Sequence, residues 1–275
     1  MKSKSQFIPS YNITKTYNSR TPSLRHRRIL KQPPKLLRIK SNSISIKNHA
    51  GRNRTGRITT RHHGGRHKRY LRKIDWLRNY GSHSISKFVS LEYDPNRSTN
   101  IARYITPQFK NYYIVAPDLP ELTIQGPNHP GERFIVNGDT LPFKDIPVGS
   151  KCYNIQTSRF KKPTLAKSSG SAATLLKKDS LNAILRLPSK KIIYLDSSCI
   201  ATIGIPSNSN EKLTVLGKAG ASRWKGKRPN VRGYAMNPID HPHGGKTKGG
   251  FQPKTKWGKQ AKWVRTRNHK VQIHF

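Results

Sequence analysis

The acidic residues of this chain all lie between Asp75 and Asp240, and this pattern constrains its fold more than any other feature. Lysine and arginine occur along the whole length, 54 of them against 12 aspartates and glutamates, for a formal net charge of +42. A compact fold with so much charge of one sign repels itself unless a polyanion neutralises it. We therefore expect a folded centre with two basic arms that become ordered on a polyanionic partner.

Nucleic acid is the expected polyanion, because each phosphate contacted by a cation releases a counterion and adds affinity. The alternatives are a basic face that is simply solvated and an anionic membrane surface. No segment has the roughly 20 apolar residues of a transmembrane helix, and the sequence contains no long basic amphipathic helix. We therefore expect no membrane partner.

The two cysteines, Cys152 and Cys199, have no CxxC spacing. The sequence therefore predicts neither a zinc knuckle nor a disulfide framework. Both residues are expected to be buried apolar side chains in a reducing compartment.

Short apolar runs in the first half of the chain, separated by proline and glycine turns, predict β-strands. Val89, Leu91 and Tyr93 alternate with polar residues, which is the period of a half-buried strand. Two more runs cover residues 101–105 and 112–116. Several short strands with such turns are typical of a small barrel.

The second half contains another set of apolar runs. Strands are expected at residues 152–155 and 199–204, with a hairpin at 184–195 around Pro188. The stretch 172–178 suits a single helical turn or a strand equally well. Together these runs predict a second all-β module.

Residues 51–69 are rich in arginine, histidine and glycine and have almost no apolar side chain, so they cannot form a core. Glycines permit close approach of the backbone, and the cations and imidazoles supply donors to phosphates. The alternative, a flexible linker, would be richer in serine and less charged. The RNA-binding residues predicted here are Arg52, Arg54, Arg57, Arg61, His62, His63, Arg66, His67, Lys68 and Arg69.

Residues 217–245 form a second basic stretch, which is long for a loop and rich in glycine and proline. Cations interleaved with aromatic residues suit phosphates and stacking on bases or sugars. The alternative for Trp224 is that it caps one end of a barrel. The RNA-binding residues predicted here are Arg223, Trp224, Lys225, Lys227, Arg228, Arg232, Asn237, His241 and His243.

The run Asp240-His241-Pro242-His243 invites a catalytic or metal-binding interpretation. No nucleophile shares the motif, no second carboxylate is near in sequence, and no further metal ligands stand at a recognisable spacing. A stiff proline beside flexible glycines suits a loop shaped against RNA. We expect no catalytic residue, no metal and no cofactor, and the glycine-rich stretches match no nucleotide-binding motif.

Five long motifs of this chain are shared with a known protein family. The segments GRNRTGRITTRHHGGRHKR (51–69), LEYDPNRSTNIA (91–102), YIVAP (113–117), LPFKDIPVGS (141–150) and VLGKAGASRWKGKRPNVRGYAMNPIDHPHGG (215–245) closely resemble the universal large-subunit ribosomal protein two family. The motifs occur in the expected order and span most of the chain. By motif position, His241 is the histidine long discussed in that family for peptide-bond formation, and the weighing above favours a structural role for it.

The resemblance implies an all-β fold. It places an OB-fold RNA-binding domain at 40–117, an SH3-like barrel at 118–205 and a C-terminal RNA-binding extension at 206–275, after a basic N-terminal arm at 1–39. The implied role is that of a structural constituent that binds large-subunit rRNA and supports assembly, subunit association and the surroundings of the peptidyl transferase centre. The implied partners are large-subunit rRNA, other ribosomal proteins and small-subunit rRNA, with a single copy in the ribosome.

Some features depart from the family or suggest a compartment. Arg66 replaces a usual third glycine, which puts the local turn in question, and Lys246 follows Gly245 without the usual carboxylate nearby.

The acid-poor N-terminus has the composition of a mitochondrial transit peptide, but prolines interrupt it, so an RNA-binding arm is preferred to a cleaved presequence. Richness in Lys, Asn and Ile favours a mitochondrial ribosome, with a plastid or bacterial ribosome as alternatives.

Overall fold

The structure is a computed structural model that describes residues 14–33, 39–81, 85–124, 127, 135–247 and 252–262. Most regular structure in these residues is β-sheet, so the fold is all-β, as the sequence predicts. The strands are β1 (Thr14–Thr16), β2 (Arg28–Leu30), β3 (Ser43–Ile46), β4 (Arg69–Arg72), β5 (Ser86–Glu92), β6 (Ile101–Ile105), β7 (Asn111–Val115), β8 (Thr123–Ile124), β9 (Thr140–Pro142), β10 (Lys151–Tyr153), β11 (Ala173–Lys178), β12 (Asn182–Arg186), β13 (Ile192–Asp196) and β14 (Ile200–Ile203). The α-helices are α1 (Pro22–Arg25) and α2 (Ala219–Trp224), and single 3-10 turns occupy Asn79–Gly81, Ser209–Leu213 and Gly233–Ala235.

The chain forms two compact units, and each unit is built from two stretches that are separated in the sequence. The first unit comprises Met1–Lys47 and Lys68–Ala219, and the second comprises Asn48–His67 and Gly220–Phe275. Residues 48–67 lie inside the range expected for the OB-fold domain, yet they group with the C-terminal segment. Compactness therefore groups the chain differently from the four ranges expected from the sequence, and those ranges stay a prediction.

A four-stranded antiparallel sheet in the order β7-β6-β5-β8 forms the first part of the first unit. A bulge at Val89 reverses the alternation along β5, so Val89 is exposed while Phe88 and Leu91 pack against the core. Because β8 pairs with β5, this sheet extends past residue 117, the expected end of its domain. A two-residue strand such as β8 has no periodicity that a sequence could reveal.

A six-stranded antiparallel sheet in the order β13-β12-β11-β10-β14-β9 forms the second part of the first unit. The predicted hairpin around Pro188 is confirmed as the pair β12 and β13. Residues 173–178 form strand β11, which resolves the choice between helix and strand left open by the sequence. The core of this sheet contains both Cys152 and Cys199, which are buried and unbridged, as predicted.

Buried polar contacts tie the six-stranded sheet of the first unit to the four-stranded sheet and to the segment that precedes it. The Tyr153 hydroxyl donates a 3.1 Å hydrogen bond to the carbonyl oxygen of Val115, at the end of β7. The buried guanidinium of Arg78 donates through Nε to the Thr140 hydroxyl at 2.9 Å. Buried polar groups are costly without partners, so the Tyr153 bond helps to fix how the four-stranded and six-stranded sheets meet, and the Arg78 bond ties the segment before β5 to β9.

The described part of the N-terminal arm contains a small hairpin, whereas the sequence showed nothing periodic there. Strand β1 pairs with β2, and the N–H of Arg28 donates to the carbonyl oxygen of Val215 at 3.0 Å. Leu30 is only 3% exposed. Strands of three residues are too short for a periodic signal, and the bond of Arg28 to Val215 comes from far along the chain. The rest of the predicted arms, residues 1–13, 34–38, 248–251 and 263–275, lies outside the described residues.

None of the helices in the described part of the chain is long and apolar enough to cross a membrane.

Candidate nucleic-acid interface

The two basic segments singled out in the sequence come together in the second unit. Their backbones run antiparallel to each other, with residues 62–67 beside 224–228. The N–H of Arg228 donates to the carbonyl oxygen of His62 at 3.0 Å, and the N–H of Gly64 donates to the carbonyl oxygen of Gly226 at 2.8 Å. Each segment therefore supplies hydrogen-bond partners that the other lacks.

An asparagine fixes the turn at the start of the first basic segment. The Oδ1 atom of Asn53 accepts hydrogen bonds from the N–H groups of Thr55 and Arg57, each at 3.0 Å. Gly51 takes a φ of +74°, and a Cβ there would collide with the carbonyl oxygen of Thr60. Sequence analysis missed the role of Asn53, although an asparagine two residues before threonine and three before glycine is a recognisable turn signal.

The second unit has almost no negative charge of its own. Asp240 is the only acidic side chain in its sequence. Its predicted arginine and lysine side chains are exposed, apart from Arg66, which is partly buried. So many cations cannot be neutralised within the unit, and exposed guanidinium groups present planar donors that match phosphate oxygens.

The His241 loop is held by its own backbone. The N–H of His241 donates to the carbonyl oxygen of Asn237 at 3.3 Å, and the N–H of Gly244 donates to the carbonyl oxygen of His241 at 2.8 Å. The His241 Nδ1 atom accepts a 3.0 Å hydrogen bond from the N–H of His243. The imidazole lies against Gly233, where a Cβ would collide with the ring. His241 thus serves as an internal acceptor that shapes the loop.

The environment of His241 lowers the pKa of its imidazole below the ordinary value of 6.5. Desolvation is the largest cause, followed by the electrostatic effects of His243, Arg61 and Lys256. A neutral ring agrees with the geometry, because Nδ1 can accept a hydrogen bond only when it carries no proton. The arrangement therefore favours a neutral, structural imidazole.

The side chain of His243 has little surface available for a ligand. It is only 6% exposed, and its Nε2 atom accepts a 2.8 Å hydrogen bond from the N–H of Lys254. Its ring stacks on Tyr234 with centroids 4.9 Å apart. The sequence predicted His243 as an RNA contact, whereas its position in the structure gives it a supporting role inside the second unit.

Trp224 stands at the end of helix α2 with about half of its side chain exposed. Its ring centroid lies 6.1 Å from that of His67. The sequence left two interpretations open, a barrel cap or a stacking platform. A half-exposed indole in the arginine-rich second unit favours the stacking platform.

The remaining predicted residues are distributed as follows. All of the predicted RNA-binding residues belong to the second unit except Lys68 and Arg69, which belong to the first, with Arg69 beginning strand β4. Arg66 does not have a positive φ, so its replacement of a family glycine needs no unusual backbone angle.

Within the described residues, no group of three or more His, Cys, Asp or Glu side chains is placed to hold a metal ion.

A chain that carries an arginine-rich unit with one carboxylate, together with small antiparallel β-sheets, belongs to the class of nucleic-acid-binding proteins. Comparison with known proteins narrows this class. Residues 41–121 match the family described as Ribosomal Proteins L2, RNA binding N-terminal domain, and residues 136–264 match Ribosomal Proteins L2, C-terminal domain. The chain belongs to the ribosomal protein L2 family.

Curated relatives agree with this assignment over most of the chain. The chain is 48% identical over 227 residues to the large ribosomal subunit protein uL2 of Buchnera aphidicola subsp. Schizaphis graminum (strain Sg). It is 42% identical over 227 residues to the protein of that name from Ralstonia nicotianae (strain ATCC BAA-1114 / GMI1000). Each alignment covers 80% of this chain and 81% of the relative.

Proposed function

We propose that this chain is a structural, rRNA-binding constituent of the large ribosomal subunit. The observation that carries the proposal is the pairing of two basic segments into one unit with a single carboxylate. Membership of the ribosomal protein L2 family identifies the polyanion as rRNA. The partners are large-subunit rRNA and neighbouring ribosomal proteins.

The contacts with rRNA come from the exposed cations of the second unit, with Lys68 and Arg69 continuing the basic run into the first. His62, His63, His67, Trp224 and Asn237 add hydrogen bonds or stacking. His241 and His243 stabilise their loop, and residues next to them in the loop contact rRNA. The sheet around β5–β8 corresponds to the OB-fold domain expected at 40–117, and the sheet around β9–β14 corresponds to the SH3-like barrel expected at 118–205.

Fractionation of ribosomes tests the proposal directly. We expect the chain to sediment with large subunits in stoichiometric amount and to remain after a high-salt wash. A free single-strand-binding module would instead be released by salt and be recovered on many RNAs. Recovery only in the free fractions would contradict the ribosomal role. Quantitative mass spectrometry of the same fractions tests the single copy.

Finer roles follow from the family. The chain supports assembly and subunit association and lies in the surroundings of the peptidyl transferase centre, with contact to small-subunit rRNA. Crosslinking of intact ribosomes tests these positions, because it should recover both rRNAs on the chain. Sedimentation at falling Mg²⁺ concentration tests subunit association, since a variant weakened in that role should dissociate at higher Mg²⁺ than wild type.

A non-enzymatic role is part of the proposal. The His241 Nδ1 atom accepts a backbone hydrogen bond, which suits a structural imidazole better than a general base. We expect ribosomes that carry His241→Gln, with normal composition, to retain peptidyl transfer. Complete loss of peptidyl transfer in such ribosomes would make His241 a catalytic group.

The ribosome that contains the chain is proposed to be mitochondrial, with a plastid or bacterial ribosome as the alternative. The support is the composition of the chain, which is rich in Lys, Asn and Ile and poor in acids. Fractionation of organelles followed by detection of the chain distinguishes the three. N-terminal sequencing of the protein from the ribosome then shows whether a presequence has been removed.

A further inference from the structure

A small cavity lies within the second unit, between the turn at residues 52–63 and the segment 228–236. Its volume is about 200 Å³. The apolar part of its wall comes from both basic segments, with Ile58 on one side and Val231 and Met236 on the other. Sequence analysis did not single out these three residues, because isolated aliphatic side chains within a basic loop have no periodicity.

Two of the apolar side chains that line this cavity are largely exposed. Ile58 is 61% exposed and Val231 is 54% exposed. Among the described residues of the second unit, the only buried apolar side chain is Ala221. The unit therefore has almost no apolar core, and Ile58 and Val231 contribute none. A ligand that covers exposed aliphatic groups removes them from water, and this burial favours binding.

The rim of the cavity is cationic. Arg52, Arg61 and Arg228 line it together with the apolar residues. The stem of Arg228 packs on Gly64, since a Cβ at that glycine would lie 2.9 Å from the Arg228 Cγ atom. An occupant that is apolar on its faces and joined to phosphates complements both the wall and the rim.

We propose that this cavity holds one unpaired nucleobase of rRNA, turned out of its helix, while the arginines at the rim contact the phosphates on either side. A volume of about 200 Å³ is below the roughly 300–1,000 Å³ of pockets for drug-sized ligands, and it suits a single planar base better than a base pair. Sequence-specific recognition of RNA relies on such unstacked bases. The inference rests on the proposed rRNA-binding function and adds the kind of nucleotide that the second unit recognises.

Filling the cavity tests the inference. Val231→Phe places an aromatic ring in it and leaves every cation in place. Ile239→Phe is the matched control, because Ile239 is 92% exposed in the same unit and does not line the cavity. Both variants and wild type are compared as full-length chains by circular-dichroism melts. If Val231→Phe does not fold, Ile58→Phe fills the same cavity from the opposite wall.

The binding assay uses the fragment of the organism's large-subunit rRNA that the bound chain protects from nuclease. Each unpaired nucleotide of the fragment is replaced, one at a time, by an abasic residue. For wild type and Ile239→Phe we expect at least one abasic position, besides any base that stacks on Trp224, to weaken binding by about tenfold, because apolar burial in the cavity is lost there. For Val231→Phe we expect weaker binding to the intact fragment. Removing the base that enters the cavity should then cause almost no further loss of affinity. The slope of log affinity against log salt should not change, because no phosphate contact is removed.

Two results would overturn the inference while leaving the proposed function intact. One is that no abasic position weakens wild type. The other is that every abasic penalty is the same in Val231→Phe as in wild type. If wild type does not bind the rRNA at low salt, the proposed function and the inference fail together.

Discussion

The backbone N–H of Arg228 donates a 3.0 Å hydrogen bond to the carbonyl oxygen of His62, although both β-sheets lie between these residues in the sequence. Neither basic segment has enough apolar side chains to order itself, so this pairing is what gives them a shared shape. It also brings arginines from both segments into one unit. The nucleic-acid interface is therefore an outcome of long-range pairing and not of either segment alone.

Arg228 provides the first prediction. Arg228→Ala should weaken binding to the rRNA fragment by about 1–3 kcal/mol, the scale of hydrogen bonds to charged groups. It should also reduce the slope of log affinity against log salt by about 0.7–0.9, since one phosphate contact is lost. Filter binding across a salt series measures both quantities.

The control for Arg228→Ala is Arg186→Ala. Arg186 is also exposed, but it lies at the end of strand β12 in the first unit, outside the predicted interface. Its removal should leave the salt slope close to that of wild type. Equal losses in the two variants would mean that only net charge matters and that the second unit is not the interface.

Trp224 provides the second prediction. Trp224→Ala should leave the melt of the two sheets unchanged, because the indole is half exposed and belongs to the second unit. Incorporation into large subunits should fall, with a loss of about 1–3 kcal/mol if a base or sugar stacks on the ring. Trp224→Phe should recover part of the loss. A lowered melting temperature with unchanged RNA affinity would show that Trp224 supports the fold instead.

The lowered pKa of His241 provides a third prediction, on pH. Because the fold favours the neutral ring, its contribution to loop stability is present above the unfolded value of 6.5 and is lost as pH falls through the folded pKa. NMR titration of the imidazole should therefore give a midpoint below 6.5. His241→Gln keeps an acceptor for the N–H of His243 but does not titrate, so its loop should be insensitive over this range. A midpoint at or above the ordinary value would contradict the internal hydrogen bond.

Much of the fold was predictable because its strands are amphipathic or apolar over four or more residues. Strand β6 coincides with the predicted run at 101–105, and the hairpin of β12 and β13 follows from two apolar runs around Pro188. The phase of β5 was not predictable. The bulge at Val89 is set by pairing with β6, and no residue type in the strand indicates that a bulge occurs there.

The candidate site was predictable in its residue types but not in its assembly. Charge and glycine content indicate which segments bind RNA, since these properties are local. The pairing of Gly64 with Gly226 is long-range, and nothing in either segment encodes its partner. The burial of His243 could not be predicted for the same reason, because Tyr234 and Lys254 reach it only in the folded unit.

Tyr153 provides the last prediction, which separates stability from RNA binding. Its side chain is fully buried, and its hydroxyl donates the 3.1 Å hydrogen bond to Val115 that joins the two sheets. Tyr153→Phe keeps the packing of the ring but removes the donor, leaving the carbonyl oxygen of Val115 without it. The free energy of unfolding should fall by about 1–3 kcal/mol, the cost of an unsatisfied buried group. Urea denaturation followed by circular dichroism measures this change.

Tyr194→Phe is the control for Tyr153→Phe, because Tyr194 is 39% exposed on the edge strand β13 and water can replace its contacts. Its free energy of unfolding should stay within about 0.5 kcal/mol of wild type. At a temperature where both variants are fully folded, their affinity for the rRNA fragment should equal that of wild type, because neither residue belongs to the second unit. If Tyr153→Phe lost RNA affinity under those conditions, the junction of the two sheets would have to be part of the RNA-binding surface.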